Sequence, residues 1–344
     1  MPEFIAPDKS SLDVKNPHRA GPDITRNWKT SQDYVVVLIV FLAENPVIVI
    51  RIGEKTVIDF IERHSYNLRA MDEEIRRFIE EDLGTGDITT NATVPEDHIS
   101  LAEIFAKEDG ILAGQPFAKK AFHVLDEGIH YEEIKEDGAP VKKGDLVARI
   151  QGRTRAILSG ERVALNLLQR LSGIATATKR FVDATGNTGV KILDTRKTSP
   201  GLRMMEKYAV RMGGGHNHRL NLSEMALIKE NHIAVAGSVK EAVKRVRTAS
   251  SVFIEVEVKN MNELRDALEE GVDRIMLDNW AVEDIAQAVS FVQKRIPIEI
   301  SGNMTLERTE QVSPMGIDFI SVGATTHSFK SLDLSLLVRE EGST

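Results

Sequence analysis

The second half of the chain alternates short apolar runs with amphipathic segments, and this alternation restricts the fold more than any other feature. Apolar runs typical of buried strands occupy 191–194, 226–229, 253–258, 274–277, 298–300 and 319–322. Helical spacing of apolar residues separates several of these runs, at 239–246, 261–269, 282–294 and 306–312. Strands that alternate with helices form right-handed crossover units, which build a parallel sheet or a barrel. No GxGxxG follows the first strand, so no motif supports a dinucleotide-binding fold.

The residues before Met71 differ from the rest of the chain. Residues 1–34 are polar and interrupted by prolines, which favours a loop or disorder. Two apolar runs at 35–42 and 47–50 predict a β-hairpin or buried strands, because each is shorter than the roughly 18 apolar residues that cross a membrane. A membrane-proximal segment and a translation start assigned too far upstream are the alternatives for residues 1–70.

From Met71 onward the pattern is that of a regular α/β protein. Apolar residues at helical spacing predict helices at 71–82, 115–128 and 161–183. Strand-like runs bounded by glycine turns lie at 100–106 and 144–150. The chain has no cysteine, which excludes disulfides, a thiol nucleophile, cysteine-bound zinc and iron–sulfur clusters.

Polar, charged or glycine residues follow each of the six predicted strands of the second half. The segments are 194–197 (DTRK), 229–232 (KENH), Glu257, 278–279 (DN), 301–303 (SGN) and 323–324 (GA). In a (β/α) barrel the carboxyl ends of the strands and the loops after them form the active site. Loops are polar in any protein, but loop polarity alone does not predict a lysine or a carboxylate in the last strand positions, as at Lys229 and Glu257. These residues are therefore the candidate site.

A basic window between residues 196 and 232 contrasts with the overall net charge of −8. Three glutamates accompany seven cations, which are Arg196, Lys197, Arg203, Lys207, Arg211, Arg219 and Lys229. The acidic balance of the whole chain disfavours binding to bulk nucleic acid, whereas a local reversal of charge indicates a small polyanionic ligand. Guanidinium and ammonium groups suit carboxylates and phosphates. A solvated helix face is the alternative for Arg203, Lys207 and Arg211.

The segment 213–219 (GGGHNHR) carries a second signal within the basic window. Three successive glycines permit close approach of the backbone to a ligand, although they are equally compatible with a mobile loop. The imidazoles of His216, His218 and His232 could in principle hold a metal ion. The neighbouring arginine and the expected absence of an acidic residue in the cluster disfavour a metal, so we expect the imidazoles to donate to an anion.

Several segments together resemble one enzyme family. They are 81–90 (EDLGTGDITT), 161–176 (ERVALNLLQRLSGIAT), 194–203 (DTRKTSPGLR), 213–220 (GGGHNHRL), 227–232 (LIKENH) and 322–328 (VGATTHS). In this order they resemble the motifs of the quinolinate phosphoribosyltransferase family, from about Met71 to the C-terminus. A paralogous group encoded beside molybdate-transport genes is the nearest alternative. The residues at 217–219 (NHR) and 229–232 (KENH) favour the quinolinate enzymes.

The resemblance implies an α/β fold in which an N-terminal α/β sandwich domain precedes an incomplete (β/α) barrel, the type II phosphoribosyltransferase fold. It assigns 71–178, joined by the C-terminal 330–344, to the sandwich domain and 179–329 to the barrel. Residues 1–70 are then an N-terminal extension, partly disordered or the product of a start site assigned too far upstream.

The resemblance also implies the reaction. Family members transfer phosphoribosyl from phosphoribosyl pyrophosphate to quinolinate with decarboxylation, giving nicotinate mononucleotide, pyrophosphate and CO₂ in de novo NAD synthesis. They use Mg²⁺ and form homodimers or higher homo-oligomers. We therefore expect a cytoplasmic enzyme with no nucleic-acid or membrane partner. A barrel enzyme for another anionic substrate and a catalytically silent binding module are the competing interpretations.

Site residues are carried over from the family motifs one by one. The resemblance implies substrate contacts by Arg162 from a partner subunit and by Thr195, Arg196, Lys197, His218, Arg219, Lys229, Glu257, Asp278, Ser301, Gly302, Asn303, Gly323 and Ala324. It implies a catalytic role for Lys197, Lys229, Glu257 and Asp278. Glu257 and Asp278 match the carboxylates that hold the ribose hydroxyls and Mg²⁺, the latter largely through substrate and water. Asn303 is a departure, because many members carry a second glycine there, and we expect the phosphate cradle to survive this change.

Overall fold

A computed structural model describes residues 35–42, 45–52 and 58–339, with side chains from Met71 onward. The expectation of loop or disorder for 1–34 lies outside these residues. Two units, Met1–Met71 and Asp72–Thr344, are distinguished by their internal contacts. No helix among the described residues is both long and apolar enough to cross a membrane.

The first unit contains the predicted hairpin. Strands β1 (Val35–Leu42) and β2 (Asn45–Ile52) pair antiparallel along their whole length. Helix α1 (Ile58–Leu83) begins 13 residues before the predicted start at Met71. Ile61, Leu68 and Ile75 recur every seven residues, or two helical turns, so the helical pattern continues upstream of Met71.

The first part of the second unit is a four-stranded antiparallel sheet covered by helices. Its elements are α2 (Ile88–Thr93), β3 (Ile99–Ala106), β4 (Gly110–Ile111), α3 (Gln115–Leu125), β5 (His130–Glu133), β6 (Pro140–Val141), β7 (Leu146–Arg153) and α4 (Thr154–Ala184). The last strand of the chain, β14 (Leu334–Arg339), pairs with β3, so the order is β14-β3-β7-β5. Alternate residues of β3, such as Ala102, Ile104 and Ala106, are buried. Their spacing of two directs one face of the sheet toward the core.

The remaining elements form the predicted alternation of strands and helices. They are β8 (Lys191–Leu193), α5 (Arg203–Met212), β9 (Ala226–Ile228), α6 (Glu230–Ala236), α7 (Val239–Ala249), β10 (Ile254–Val258), α8 (Met261–Glu269), β11 (Arg274–Asp278), α9 (Val282–Val292), β12 (Ile298–Ser301), α10 (Leu306–Val312), β13 (Phe319–Ser321) and α11 (Ala324–His327). The six strands are parallel in the order β8-β13-β12-β11-β10-β9. Because the described pairing leaves β8 and β9 as the two edges, the barrel is incomplete, as predicted.

Residues on these six strands alternate between two environments. Val256, Ile300 and Ile320 belong to the apolar cluster packed between the strands and the outer helices. Glu255 and Glu299 lie next to them in sequence and are fully buried, so the alternation directs them to the opposite face, the barrel interior. The interior therefore contains buried carboxylates where hydrophobic side chains are usual.

The three glycines at 213–215 pack against helix α4. A Cβ atom on Gly213 would lie 2.4 Å from the carbonyl oxygen of Ala175, and one on Gly215 would lie 2.7 Å from a methyl carbon of Thr178. Both distances are shorter than real contacts, so only glycine fits. The sequence left open a ligand-binding or a mobile loop. Instead, the loop approaches a helix closely and brings His216 beside Leu193 on the free edge of β8.

Candidate active site at the mouth of the barrel

The carboxyl ends of neighbouring strands bring the predicted carboxylates together. Glu257 on β10 lies opposite Met276 on β11, and Asp278 is two residues further along β11 on the same face. Lys229 forms an ion pair with Glu257. The sequence placed Lys229 in the last position of a strand, whereas β9 ends at Ile228 and Lys229 is the N-cap residue of α6. The ion pair joins the start of α6, just after β9, to the carboxyl end of β10.

Asparagine side chains link Asp278 to the next strand end. Asn279 Nδ2 donates to Asp278 Oδ2 at 2.7 Å, and Asn303 Nδ2 donates to Asn279 Oδ1 at 2.9 Å. A Cβ atom on Gly302 would lie 2.3 Å from Asn279 Oδ1, and Gly302 has φ of +91°, so this position requires glycine. Asn303 also has positive φ, at +46°. Asparagine is among the few residues besides glycine that adopt this conformation readily, which explains how it stands where many relatives have glycine.

The loop after β8 meets the loop after β13, because these strands are neighbours. The Lys197 stem lies against Gly323, where an added Cβ would be 3.1 Å from Lys197 Cδ. Thr326 Oγ1 donates to the Lys197 carbonyl oxygen at 2.8 Å, and Thr195 Oγ1 accepts from Lys197 N at 3.1 Å. These bonds fix the backbone while the side chains of Arg196 and Lys197 stay exposed. The loop therefore presents two cations to solvent at the mouth.

Arg219 is a second, more buried guanidinium near this loop. Burial lowers the pKa of Arg219, and the neighbouring charge of Arg196 lowers it further. Its Nη1 donates to the Met225 carbonyl oxygen at 3.0 Å. Two like charges that influence each other in this way attract an anion.

His218 differs from the expectation that its imidazole donates to an anion. Its Nδ1 accepts a hydrogen bond from the Arg219 backbone N–H at 2.8 Å, so the ring proton resides on Nε2. Nε2 then donates to Glu255 Oε2 at 2.9 Å. Burial lowers the pKa of His218, which favours this neutral form. Both ring nitrogens are thus hydrogen-bonded within the chain. His218 helps to position Arg219 by accepting from its backbone N–H.

Beneath the mouth lies a buried polar layer that the sequence analysis missed. Arg274 Nη1 donates to Glu299 Oε2 at 2.7 Å, and Ser321 Oγ donates to Glu299 Oε1. Burial, and then the neighbouring Glu255 charge, raise the pKa of Glu299 to about 8. The pKa of Glu255 is also raised by burial. The sequence did contain a signal for this buried layer. Glutamates stand within otherwise apolar parallel strands, as in IEVEV at 254–258.

A metal ion does not fit this buried layer. His218, Glu255 and Glu299 form a group whose ligand atoms lie within 4.8 Å of one another. From the sequence, no acidic residue was expected to join His218. That expectation is wrong, because Glu255 and Glu299 lie beside it. However, the Arg274 guanidinium already supplies the positive charge beside Glu299, and a second cation would be repelled. His232 is also unavailable as a partner, because its Nδ1 accepts from Lys229 N at 2.9 Å.

A buried ion pair fixes the loop that carries His218. Lys207 Nζ contacts Asp194 and donates to the His218 carbonyl oxygen at 2.9 Å. The Asp194 carboxylate also accepts from His218 N at 2.9 Å and from Asn217 Nδ2 at 2.6 Å. Lys207 is only 3% exposed, which excludes the solvated helix face that was the alternative for it. The pair ties the end of β8 to the loop after α5.

Arg162 lies on α4, away from the cluster described above. Its side chain is 58% exposed, and its nearest ionic partner among the described residues is Glu161, at 3.9 Å. No contact described for this chain brings Arg162 to the barrel mouth. The expectation that it acts from a partner subunit therefore stays a prediction.

Comparisons with known proteins agree with the fold. The profile of the quinolinate phosphoribosyl transferase N-terminal domain matches residues 87–172, and that of the C-terminal domain matches 174–337. The chain is 46% identical over 264 residues to a probable nicotinate-nucleotide pyrophosphorylase (carboxylating) of Bacillus subtilis, which covers 76% of this chain and 91% of that protein. It is 41% identical over 298 residues to the chloroplastic enzyme of Arabidopsis thaliana, covering 80% and 84%.

Solved structures give the same result. The nicotinate-nucleotide pyrophosphorylase from Francisella tularensis superimposes with a TM-score of 0.76 at 40% identity, over 79% of this chain and 96% of that one. NadC from Streptococcus pyogenes also gives a TM-score of 0.76, at 42% identity over 78% and 97%. Matched in both domains and at this level of identity, the chain belongs to the quinolinate phosphoribosyltransferase family.

Proposed function

We propose that this chain transfers the phosphoribosyl group of phosphoribosyl pyrophosphate to the ring nitrogen of quinolinate. The 2-carboxylate leaves as CO₂, and the products are nicotinate mononucleotide and pyrophosphate. The observation that carries the proposal is a mixed cluster at the barrel mouth, made of Arg196, Lys197, Arg219, Lys229, Glu257 and Asp278. Both substrates are polyanions, and phosphoribosyl pyrophosphate also has ribose hydroxyls that carboxylates can accept from. Names of the relatives support the same reaction.

Quinolinate is assigned to the guanidinium side of the cluster. Arg196 and Arg219 can each form paired hydrogen bonds with a carboxylate, which fixes the plane and orientation of the pyridine ring. Thr195 shapes the turn that carries Arg196. Because both nitrogens of His218 are engaged elsewhere, we assign it to supporting Arg219 rather than to the substrate.

Phosphoribosyl pyrophosphate is assigned to the opposite side of the mouth. Ser301, Gly302, Asn303, Gly323 and Ala324 would hold the 5′-phosphate with backbone groups, as in the phosphate sites of the last loops of other barrels. Lys197 lies against Gly323 and is positioned to contact the same substrate. The carboxylates of Glu257 and Asp278 would accept from the ribose hydroxyls.

The chemistry assigned to this site depends mainly on fixed charges. The bond from ribose C1 to pyrophosphate breaks, and the ribose passes through an oxocarbenium-like state. The pyridine nitrogen supplies the electron pair of the new bond and becomes positive. The bond to the 2-carboxylate then breaks, its electron pair remains on the ring carbon, and a proton from solvent captures it. Preorganised cations, Lys197 and Lys229 among them, stabilise the departing pyrophosphate, and typical single contributions are about 10²–10³-fold in rate.

Mg²⁺ belongs to this proposal as a cofactor. Glu257 and Asp278 offer carboxylate oxygens on adjacent strands, which is the ligand chemistry that Mg²⁺ prefers, with substrate oxygens and water completing the shell. The donor set therefore fits the ion, which would neutralise charge on the bound pyrophosphate. Lys229 balances the charge of Glu257 within the chain.

A homodimer or higher homo-oligomer is the assembly proposed for the enzyme. Arg162 is exposed on α4, and a second copy could bring it to the quinolinate carboxylates. We also propose a cytoplasmic location, because phosphoribosyl pyrophosphate is a dense polyanion that does not cross membranes unaided.

The test is turnover by the purified chain with Mg²⁺ and phosphoribosyl pyrophosphate, supplied with either quinolinate or nicotinate. We expect nicotinate mononucleotide from quinolinate alone. Arg196→Ala should lower kcat/KM by about 10²-fold or more, because it removes a contact to developing charge. Arg149→Ala, which breaks a partly exposed ion pair with Glu103 in the four-stranded antiparallel sheet, is the control and should keep normal kcat/KM. Turnover of nicotinate in place of quinolinate, or a normal Arg196→Ala variant, would contradict the proposal.

A further inference from the structure

Arg219 is held at both ends by contacts within the chain. Its backbone N–H donates to His218 Nδ1 at 2.8 Å, and its Nη1 donates to the Met225 carbonyl oxygen at 3.0 Å. The latter contact uses one of the five guanidinium N–H donors. Arg219 is also 9% exposed, so small shifts of its backbone change which donors reach the mouth.

The imidazole of His218 connects the backbone of Arg219 to the carboxylate of Glu255. Because Nδ1 accepts, Nε2 must donate, and its acceptor is Glu255 Oε2 at 2.9 Å. The other nearby carboxylate oxygen, Glu299 Oε2, is 3.7 Å from Nε2 and is bonded to Arg274. The Arg219 N–H and Glu255 therefore select the tautomer together, and Glu255 fixes the orientation of Nε2.

Glu255 itself is fixed from below. It lies opposite Arg274 in the β10–β11 register, and the Arg274 guanidinium lies 5.3 Å from the Phe253 ring centroid and 4.8 Å from that of Phe319. Among the side chains described from Met71 onward, Glu255 Oε1 is buried without a hydrogen-bond partner, and Arg274 Nε is 3.6 Å from it. An unsatisfied buried carboxylate oxygen is unfavourable for folding, so packing alone does not account for a glutamate here.

We propose that Glu255, acting through His218, is a positioning residue for Arg219 and thereby sets the affinity for quinolinate. The inference rests on the proposed function, since it takes Arg219 as a quinolinate contact. The groups assigned to phosphoribosyl pyrophosphate lie at the carboxyl ends of β10, β11 and β12 and on the loops after β8, β9, β12 and β13. Among the described residues, the His218 ring contacts none of these groups. The effect of losing the contact should therefore fall on one substrate.

Two substitutions of Glu255 separate positioning from packing. Glu255→Leu fills the same space but cannot accept from His218 Nε2. Glu255→Gln keeps an oxygen that can accept. We expect the leucine variant to raise KM for quinolinate about 10-fold or more, with KM for phosphoribosyl pyrophosphate changed less than about 2-fold, because misplacement of a binding group acts on its own ligand. The glutamine variant should restore KM for quinolinate to within about 3-fold of the original chain.

Glu103→Leu is the matched control. Glu103 is a largely buried carboxylate on β3 of the four-stranded antiparallel sheet, where it pairs with Arg149 and Arg339. Because none of these residues is assigned to a substrate, the loss of Glu103 should leave both KM values unchanged. Equal rises of both KM values in Glu255→Leu, or no rise, would overturn the positioning role. The unsubstituted chain is assayed first. If it does not convert quinolinate, the proposed function fails, and the substrate assignment of Arg219 fails with it.

A second measurement applies even if Glu255→Leu does not fold. Nitrogen-15 NMR of the full chain labelled at histidine reports which ring nitrogen of His218 carries the proton, with His218→Gln to assign the signal. We expect a neutral ring protonated at Nε2. A ring protonated at Nδ1, or at both nitrogens near pH 7, would overturn the inference.

Discussion

At the scale of single residues, backbone conformation accounts for substitutions that side-chain chemistry alone leaves unexplained. The resemblance implied glycine at the position of Asn303, and the φ of +46° shows why asparagine is tolerated there. The sequence identified this position as a departure and predicted that the phosphate cradle survives. It could not predict the link to Asn279, because that bond joins residues 24 apart on different loops.

Substitution of Asn303 tests this explanation. Asn303→Ala places a residue that disfavours positive φ in the cradle and removes the bond to Asn279, so we expect KM for phosphoribosyl pyrophosphate to rise several-fold. Asn303→Gly keeps the conformation and should stay closer to the original value. Steady-state kinetics with each substrate varied in turn measure both. If alanine and glycine behave alike, backbone conformation is not what the cradle requires.

Histidine 218 illustrates the limit of sequence analysis at this scale. The motif indicated that His218 and Arg219 act at the site, and the charge of Arg196 does lower the pKa of Arg219. The role of the imidazole depended on Glu255, which is 37 residues away and reaches it only through the barrel interior. Local sequence holds no information about that contact, so the expectation that the imidazole donates to a bound anion could not take Glu255 into account.

At the scale of secondary structure elements, strands and helices were predicted well where hydrophobic period is strong. The predicted runs at 253–258 and 298–300 correspond to Ile254–Val258 and Ile298–Ser301. Predictions were weaker where packing against another element decides the conformation. The glycines at 213–215 are one example, since their close approach to α4 is a tertiary contact. The early start of α1 has a different cause, because the helical pattern continues upstream of Met71 and no proline or capping residue marks Met71 as a boundary.

Gly213 provides a test at this scale. A methyl group there would lie 2.4 Å from a backbone oxygen of α4, so Gly213→Ala should lower the free energy of unfolding by about 1–3 kcal/mol through overpacking. Gly128→Ala is the control, because the nearest atom is the side-chain oxygen of Asp126 at 3.1 Å, which can move. Urea unfolding of both variants measures the difference. Equal stabilities would show that the loop tolerates a side chain against the helix.

At the scale of the whole molecule, the barrel interior combines stability with function. The buried layer of Glu255, Glu299, Arg274 and Ser321 supports the cationic mouth, yet it is costly in free energy because carboxylates are withdrawn from water. The overall net charge of −8 gives no indication of the cationic mouth. Overall composition excluded polymer binding, and only the folded chain shows which cations converge.

The raised pKa of Glu299 predicts how stability depends on pH. Between pH 4.5 and about 8 the unfolded chain releases the Glu299 proton while the folded chain retains it. The unfolded state then binds fewer protons, so this group makes stability fall as pH rises, by at most about 1.4 kcal/mol per pH unit. Glu299→Gln removes the effect. Urea unfolding from pH 5 to 8 should show the variant gaining stability relative to the original chain, and a constant difference would contradict the raised pKa.

Shared sites between copies can be tested by mixing inactive variants. If Arg162 acts across an interface, a hybrid of Arg162→Ala with Arg196→Ala contains one intact site and one doubly defective site. Random exchange of dimers makes about half of them hybrids, so activity should recover to about a quarter of the original. Refolding the mixture from denaturant and assaying nicotinate mononucleotide measures this. Activity no greater than that of the separate variants would place Arg162 in its own subunit's site or outside any site.

In the proposed reaction, the charged mouth couples phosphoribosyl transfer to loss of the quinolinate 2-carboxylate. Quinolinate carrying ¹⁴C in that carboxylate, incubated with the purified chain, Mg²⁺ and phosphoribosyl pyrophosphate, tests it directly. We predict one labelled CO₂ for each nicotinate mononucleotide formed, no release without phosphoribosyl pyrophosphate, and a loss of both products in Arg196→Ala. Labelled CO₂ without the nucleotide, or a nucleotide that retains the label, would contradict the account.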